Sequence, residues 1–253
     1  IRDSNAIVDA HLAAMVVVGD DQDEHLFASN LPPFLIYWGD TITNAGMGSV
    51  EADTPDVVRR FMPGYHEDGP GTDYPVHAAL ATHLIDHLLD HDFDVASSSH
   101  LPNNEQSMGH AFAFVLRRIS RGPIPIVPVM VNTYSPPAQP RARRCLQFGR
   151  AMGEAIRAFP TEARVGVVAS GGLSHFLVLE DLDRRVLAAL ERGDLDELCE
   201  IPEETFVAGT SEIKNWIVAA GACETLSFEI VDYVPGYRTS AGTGTGLAFA
   251  TWR

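Results

Sequence analysis

Short apolar runs alternate along this chain with stretches in which apolar residues recur at helical spacing. Six of the runs are rich in β-branched or aromatic residues and are bounded by Gly, Pro, Asp or Asn, which predicts β-strands. Several are apolar at successive positions, as is typical of strands covered on both faces. The predicted strands are residues 13–19, 34–38, 124–131, 164–170, 228–234 and 246–251.

The stretches between these strands predict helices. Leu80, Leu84 and Leu88 recur at every fourth position and form one apolar stripe. Thr210 or Ser211 is expected to cap the first turn of the last helix. The predicted helices are residues 74–91, 142–159, 182–192 and 211–223, with a short piece at 55–60 inside a long loop over residues 44–71.

This alternation of strands and helices favours an α/β fold. No linker or internal repeat divides the sequence, and 253 residues are enough to bury a full core. We therefore expect a single domain over residues 1–253, with a central mixed β-sheet flanked by helices.

The composition is acidic, with 34 Asp and Glu against 18 Lys and Arg and a formal net charge of −16. Such a surface repels phosphate backbones and anionic lipid, so nucleic-acid and membrane partners are not expected. No apolar stretch approaches the roughly 20 residues that span a bilayer, and no signal-peptide pattern opens the chain. Three scattered cysteines (Cys145, Cys199 and Cys223) predict reduced thiols in a cytoplasmic protein.

Histidines at positions 83, 87 and 91 form the most conspicuous set of metal-binding side chains. The i, i+4 and i+8 spacing places three imidazoles on one helical face. Asp86 and Asp90 lie among them, and no strand end or loop nearby in sequence offers a further ligand. We interpret this set as a solvated helix face.

Three other segments place polar side chains at strand ends or at a helix start, where ligands of α/β proteins collect. Ser174 and His175 follow a strand and two glycines, which allow a tight turn. Glu212 lies in the first turn of a helix, where a carboxylate interacts favourably with the helix dipole or binds a cation. A serine hydrolase is disfavoured because Phe176 stands where a nucleophile elbow requires glycine. The segments are residues 19–25 (GDDQDEH), 169–175 (ASGGLSH) and 211–216 (SEIKNW).

The order of these motifs resembles that of a known family. The motifs are GDDQxExxF from Gly19, SMGHAFAF (107–114), PIPIVPVMVNTYSPP (123–137), ASGGLSHF (169–176), GTSEIKNWIVAAGA (209–222) and DYVPGYRTSAGTGTG (232–246). Together they resemble the class III extradiol ring-cleavage dioxygenases, relatives of the protocatechuate 4,5-dioxygenase catalytic subunit, and especially the gallate and 3-O-methylgallate branch. The resemblance covers residues 16–252.

The resemblance implies an oxidoreductase that uses non-haem Fe(II) and O2 to open a catechol- or gallate-type ring in aromatic compound catabolism. Family members hold iron with two histidines and one glutamate, which leaves positions open for a catecholate and O2. Glu212 matches the glutamate ligand, His175 the acid–base histidine, and His110 a histidine that hydrogen-bonds substrate or oxygen. Arg238 is our candidate for binding an anionic aromatic substrate.

At two positions where family members carry a histidine, this sequence has no matching histidine. The first iron histidine of the family precedes the segment where this sequence begins, so we expect that the natural N-terminal segment is missing. Gln22 stands where many relatives carry histidine, and we predict that it is a metal ligand. Because an amide oxygen binds Fe(II) more weakly than imidazole does, Glu24 and His25 are alternative ligands.

These departures leave more than one function open. The extradiol dioxygenase is the first hypothesis, and a non-catalytic binding or interaction protein on the same fold is the alternative. A zinc hydrolase is supported only by the general types of metal ligand present. The family also implies subunit association, so we expect a homo-oligomer.

Overall fold

The longest buried strands of the protein form the centre of its main sheet. The computed structural model describes residue 7 and residues 10–50, 53–101, 107–120 and 124–253. Its strands are β1 (Ala14–Asp20), β2 (Phe34–Tyr37), β3 (Thr41–Asn44), β4 (Thr72–Pro75), β5 (Ala96–Ser98), β6 (Ile126–Val131), β7 (Val165–Ala169), β8 (His175–Leu177), β9 (Phe228–Tyr237) and β10 (Thr243–Trp252).

The main sheet has five strands in the order β5-β2-β6-β1-β7. β1 lies between β6 and β7 and runs parallel to both, whereas β2 is antiparallel to β6. Every residue of β1 and β6 is buried, because both faces of the sheet are covered. The other sheets are a three-stranded antiparallel sheet, β8-β10-β9, and a two-stranded sheet, β3-β4, among the residues that the structure describes.

Helices cover the main sheet. They are α1 (Asp56–Arg59), α2 (Ala78–Asp90), α3 (His110–Phe114), α4 (Ala142–Ala158), α5 (Glu180–Glu191), α6 (Leu195–Cys199) and α7 (Ile213–Ala222). A π-helical stretch, Val115–Ile119, continues α3, and a 3-10 turn, Ala208–Glu212, leads into α7. The expected α/β fold, a single domain with a mixed central sheet flanked by helices, is confirmed.

Close contact between α4 and α7 positions the start of α7. A Cβ atom on Gly149 would lie 2.1 Å from the carbonyl oxygen of Val218, and one on Gly153 would lie 2.5 Å from that of Ala222. The two backbones can approach this closely only because α4 presents glycine at both positions. α7 is buried along its whole length as a result.

Several predicted boundaries are wrong, and tertiary pairing explains them. The helix predicted over residues 74–91 begins at Ala78, because Tyr74 and Pro75 pair with β3. The predicted Thr210 or Ser211 cap is absent: Glu212 occupies the N-cap position of α7 without a side-chain cap bond. Four strands that the pattern does not predict, β3, β4, β5 and β8, are three or four residues long.

The described helices are also informative about membranes. Among them, none combines the length and the apolar character that crossing a bilayer requires.

Candidate active site

Three side chains from distant parts of the chain meet at the carboxyl end of β1. Asp20 is the last residue of β1, His110 is the first residue of α3, and Glu212 ends the 3-10 turn before α7. One potential ligand atom from each lies within 4.8 Å of the other two. Both carboxylates are buried. We refer to Asp20, His110 and Glu212 as the carboxylate cluster.

Hydrogen bonds fix the two carboxylates of this cluster. The backbone N–H of Gly172 donates to Glu212 Oε2 at 2.7 Å, and Asn215 Nδ2 donates to Asp20 Oδ1 at 3.2 Å. Gly171 has a φ of +131°, and a Cβ there would lie 2.8 Å from Glu212 Oε2. Only glycine fits both the backbone conformation and the space beside Glu212.

The cluster is electrostatically suited to a cation. Burial and the neighbouring Asp20 carboxylate raise the pKa of Glu212 to about 8. A buried carboxylate pair is costly unless its charge is offset by a proton or a cation. Two carboxylates and an imidazole form a donor set that suits a divalent transition metal, so these residues fit a metal such as iron.

His110 is oriented by Glu24. Its backbone N–H donates to Glu24 Oε1 and its Nδ1 lies 2.8 Å from Glu24 Oε2, which leaves Nε2 for the cluster. Burial alone would lower the pKa of His110, but the hydrogen bond and charge of Glu24 outweigh it and raise that pKa to about 10. A carboxylate on the far nitrogen of a histidine is typical of metal-binding imidazoles.

His175 approaches the cluster from the three-stranded sheet. Its Nε2 lies 3.5 Å from Glu212 Oε2, and its Nδ1 contacts the carbonyl oxygen of Leu173 at 3.1 Å. Because a carbonyl only accepts, Nδ1 carries the proton and a neutral ring keeps Nε2 free. Burial lowers the pKa of His175, which favours this neutral form.

Two buried polar groups, Asp183 and Thr210, hold the backbone around His175, a role that the sequence pattern does not predict for either of them. Asp183 accepts hydrogen bonds from the Ser174 amide and hydroxyl, at 2.9 and 2.8 Å, and from Tyr233 Oη. Thr210 exchanges hydrogen bonds with the backbone of His175 at 2.9 Å. Asp183 lies within the amphipathic pattern of α5, and its full burial is a tertiary feature that the pattern does not show.

The predicted ligand Gln22 lies beside the carboxylate cluster. Its Nε2 donates to Asp20 Oδ2 at 3.0 Å and to Glu212 Oε1 at 3.2 Å. The amide nitrogen therefore faces the carboxylates, and ligation through the oxygen would require the amide to rotate. Of the two alternatives, Glu24 is paired with His110 and His25 is buried next to it in sequence.

Asp21 has a structural role in the same turn. Its carboxylate accepts hydrogen bonds from the backbone amides of Glu24, His25 and Leu26 and so closes the loop after β1. Burial raises the pKa of Asp21 to about 6 despite these bonds.

Arg238, the predicted substrate-binding residue, is exposed just beyond β9. It lines an open cavity of about 400 Å³ with Tyr237 and Thr239. Tyr237 pairs with Gly244, and the next residue of β10, Thr245, pairs with His175. Arg238 therefore follows the end of a strand in the small sheet that carries His175.

Comparison with known proteins gives matches over most of the chain. A family described as the catalytic LigB subunit of aromatic ring-opening dioxygenase matches residues 59–248. Gallate dioxygenase of Pseudomonas putida is 33% identical over 103 residues, which are 39% of this chain and 28% of that protein.

Two further relatives are named 2,3-dihydroxyphenylpropionate/2,3-dihydroxicinnamic acid 1,2-dioxygenase. That of Comamonas testosteroni is 27% identical over 164 residues, 64% of this chain and 42% of the relative. That of Xanthobacter autotrophicus is 29% identical over 168 residues, 64% of this chain and 43% of the relative. The matched stretch thus spans less than half of each of these three relatives.

Proposed function

Because the chain belongs to the family of the catalytic LigB subunit of aromatic ring-opening dioxygenases, we propose that it catalyses extradiol cleavage of a catechol- or gallate-type aromatic ring with O2. The observation that carries the proposal is the carboxylate cluster, which brings Asp20, His110 and Glu212 within 4.8 Å at a strand end. The relatives named as gallate and dihydroxyphenylpropionate dioxygenases support an aromatic diol as the substrate class.

We infer that the cluster holds Fe(II). Glu212 is the ligand matched by the family motif, and Asp20 is the second carboxylate of the donor set. Gln22 is a further ligand in this proposal. When bound, Fe(II) supplies the redox chemistry that couples an electron-rich catecholate to O2.

His175 is the proposed acid–base residue. Its Nε2 is unprotonated in the neutral ring and faces the cluster, so this atom can accept a proton from a catechol hydroxyl. The Leu173 carbonyl keeps the other ring nitrogen protonated and fixes the tautomer. The same Nε2 can return the proton later, since a depressed pKa makes the imidazolium a good acid near neutral pH.

His110 and Arg238 would act on the substrate. His110 Nε2 is free to hydrogen-bond a substrate or oxygen atom because Glu24 binds Nδ1. An anionic aromatic acid needs a local cation on a chain of net charge −16, and Arg238 offers an exposed guanidinium next to the end of the sheet that carries His175.

We further propose a reduced, cytoplasmic homo-oligomer. The support for reduced thiols is that the structure shows three free cysteines, of which Cys145 and Cys223 are buried. Burial raises the pKa of Cys145 to about 12, so this thiol is a poor nucleophile.

Oxygen uptake tests the enzymatic proposal. The protein is loaded anaerobically with Fe(II) and mixed with protocatechuate, gallate, 3-O-methylgallate or 2,3-dihydroxyphenylpropionate. We expect uptake with at least one of them, and loss of both uptake and bound iron in Glu212→Gln. Glu204→Gln, an exposed carboxylate eight positions earlier, is the matched control and should retain both.

Two outcomes would contradict the proposal. If no substrate gives uptake and elemental analysis finds no bound iron, the chain is not a dioxygenase and the non-catalytic binding protein on the same fold becomes the better account. Equal iron content in Glu212→Gln and the parent chain would contradict the assignment of Glu212 as a metal ligand but not the proposed activity.

A further inference from the structure

A second group of metal-binding side chains lies between α2 and α4, outside the carboxylate cluster. His87 lies in the last turn of α2, His91 follows that helix, and Glu154 lies on α4. One potential ligand atom from each lies within 4.8 Å of the other two. The group therefore joins two helices that pack against each other.

The two imidazoles are arranged side by side. Their ring centroids are 4.0 Å apart, and the ring planes differ by 17°. His91 Nδ1 lies 2.7 Å from the carbonyl oxygen of His87, and this nitrogen is therefore the donor. The bond fixes the tautomer of His91 and leaves its Nε2 without a proton, as in metal-binding histidines that donate through the other nitrogen.

His87 has an unsatisfied ring nitrogen. Its Nε2 is buried and has no hydrogen-bond partner within the part of the chain that the structure describes. Buried polar atoms usually have a partner, so an unpartnered one calls for an explanation such as an ion. His83 is different, because its Nε2 already contacts the carbonyl oxygen of Ala155 at 2.9 Å.

We propose that His87, His91 and Glu154 bind a divalent transition-metal ion of the Zn²⁺ type. Two imidazoles and one carboxylate suit Zn²⁺ better than Mg²⁺ or Ca²⁺, which prefer oxygen ligands. Tetrahedral zinc with bonds of about 2.0–2.1 Å separates its ligand atoms by about 3.3 Å. The ligand atoms here lie up to 4.8 Å apart. His91 and Glu154 are exposed, so small rotations of their side chains can bring the ligand atoms to the shorter separation, with water as the fourth ligand.

Such an ion would act structurally, as a link between α2 and α4. Asp86 and Asp90 are exposed on the same helix and add to the local negative charge that attracts a cation. The site is independent of the proposed ring-cleaving activity, because none of its residues contributes to the carboxylate cluster.

Zinc binding to tag-free, metal-stripped protein tests this inference. Bound zinc per chain is measured by equilibrium dialysis and elemental analysis for the parent chain and for His87→Gln/His91→Gln. We expect the double variant to lose one equivalent, whatever the carboxylate cluster retains. Glu154→Gln should weaken binding of that equivalent by about tenfold or more, and His100→Gln, an exposed histidine elsewhere, should match the parent.

Thermal unfolding provides a second readout. Zinc at about a hundred times its Kd should raise the unfolding midpoint of the parent by about 5–10 °C more than that of the double variant. Equal zinc content in the parent and a folded double variant would overturn the proposal. So would zinc that is lost equally from the His100→Gln control.

Discussion

At the scale of single residues, the proposed roles of His175 in proton transfer and of Glu212 in metal binding can be tested separately. The ring touches Glu212 only through Nε2 at 3.5 Å, whereas the Glu212 carboxylate is fixed by Gly172 and Gln22. The imidazole can therefore be removed without disturbing the hydrogen bonds that hold the carboxylate.

His175→Ala is expected to retain bound iron and to slow turnover by about two to four orders of magnitude, the usual contribution of an acid–base residue. Elemental analysis and oxygen uptake measure the two properties on the same sample. Loss of iron from this variant would mean that His175 is a ligand. His100→Gln serves as the control.

Asp21 gives a pH dependence whose direction follows from its burial. Its pKa is about 6 in the folded chain against 3.8 for the free residue, so the folded state binds the proton more tightly. This contribution favours the fold at low pH and is lost as pH rises from about 4 to 6, by about 2–3 kcal/mol.

Asp21→Asn removes the titration. At every pH the variant loses the hydrogen bond from the His25 amide, which lowers its unfolding free energy by a constant amount. From pH 4 to pH 6 the unfolding free energy of the parent should fall relative to that of the variant. Urea unfolding at several pH values measures it. A pH-independent difference would contradict the burial argument.

At the scale of elements, the contact of α4 with α7 decides where Glu212 stands. A methyl group on Gly149 would meet the Val218 carbonyl at 2.1 Å, which forces the helices apart. Gly149→Ala should therefore destabilise the fold by about 1–3 kcal/mol and weaken iron binding, because the residue before α7 moves with it.

Urea unfolding and iron titration test both effects. Gly64→Ala is the matched control, since a Cβ at Gly64 would have no neighbour within 4 Å. Unchanged stability in Gly149→Ala would show that α7 is free to shift, and the positioning argument would then be wrong.

Sequence patterns predict the features that depend on local residues and miss those that depend on contacts between distant residues. β1 and β6 are predicted because continuous apolar runs report burial on both faces. β8, at three residues, exists only because β10 pairs with it. Likewise, motifs indicate Glu212 and His175, but the Glu24–His110 pair joins residues 86 positions apart and leaves no local pattern.

At the scale of the whole molecule, a bound cation would link segments that are distant in sequence. It would neutralise part of the buried charge of Asp20 and Glu212 and bind only the folded chain. At about a hundred times the Kd, Fe(II) should raise the unfolding midpoint by about 5–10 °C.

Anaerobic thermal unfolding measures this effect. The measurement is made in the His87→Gln/His91→Gln variant, so that any shift in the unfolding midpoint comes from metal bound at the carboxylate cluster. Glu212→Gln in that background should lose the shift, and Glu204→Gln should keep it. An undiminished shift in Glu212→Gln would place the stabilising ion elsewhere.

The central position of β1 also bears on the dynamics of the site. Its backbone amides bond to strands on both sides, so they are expected to exchange with solvent deuterium only when the whole fold opens. Asp20 is thereby tied to the slowest-exchanging unit of the protein. His175 belongs to the smaller sheet and Arg238 follows its strand β9, so fewer neighbouring strands restrain the backbone there. Hydrogen exchange should therefore be faster in the backbone around His175 than in β1, so that the two sides of the candidate site differ in rigidity.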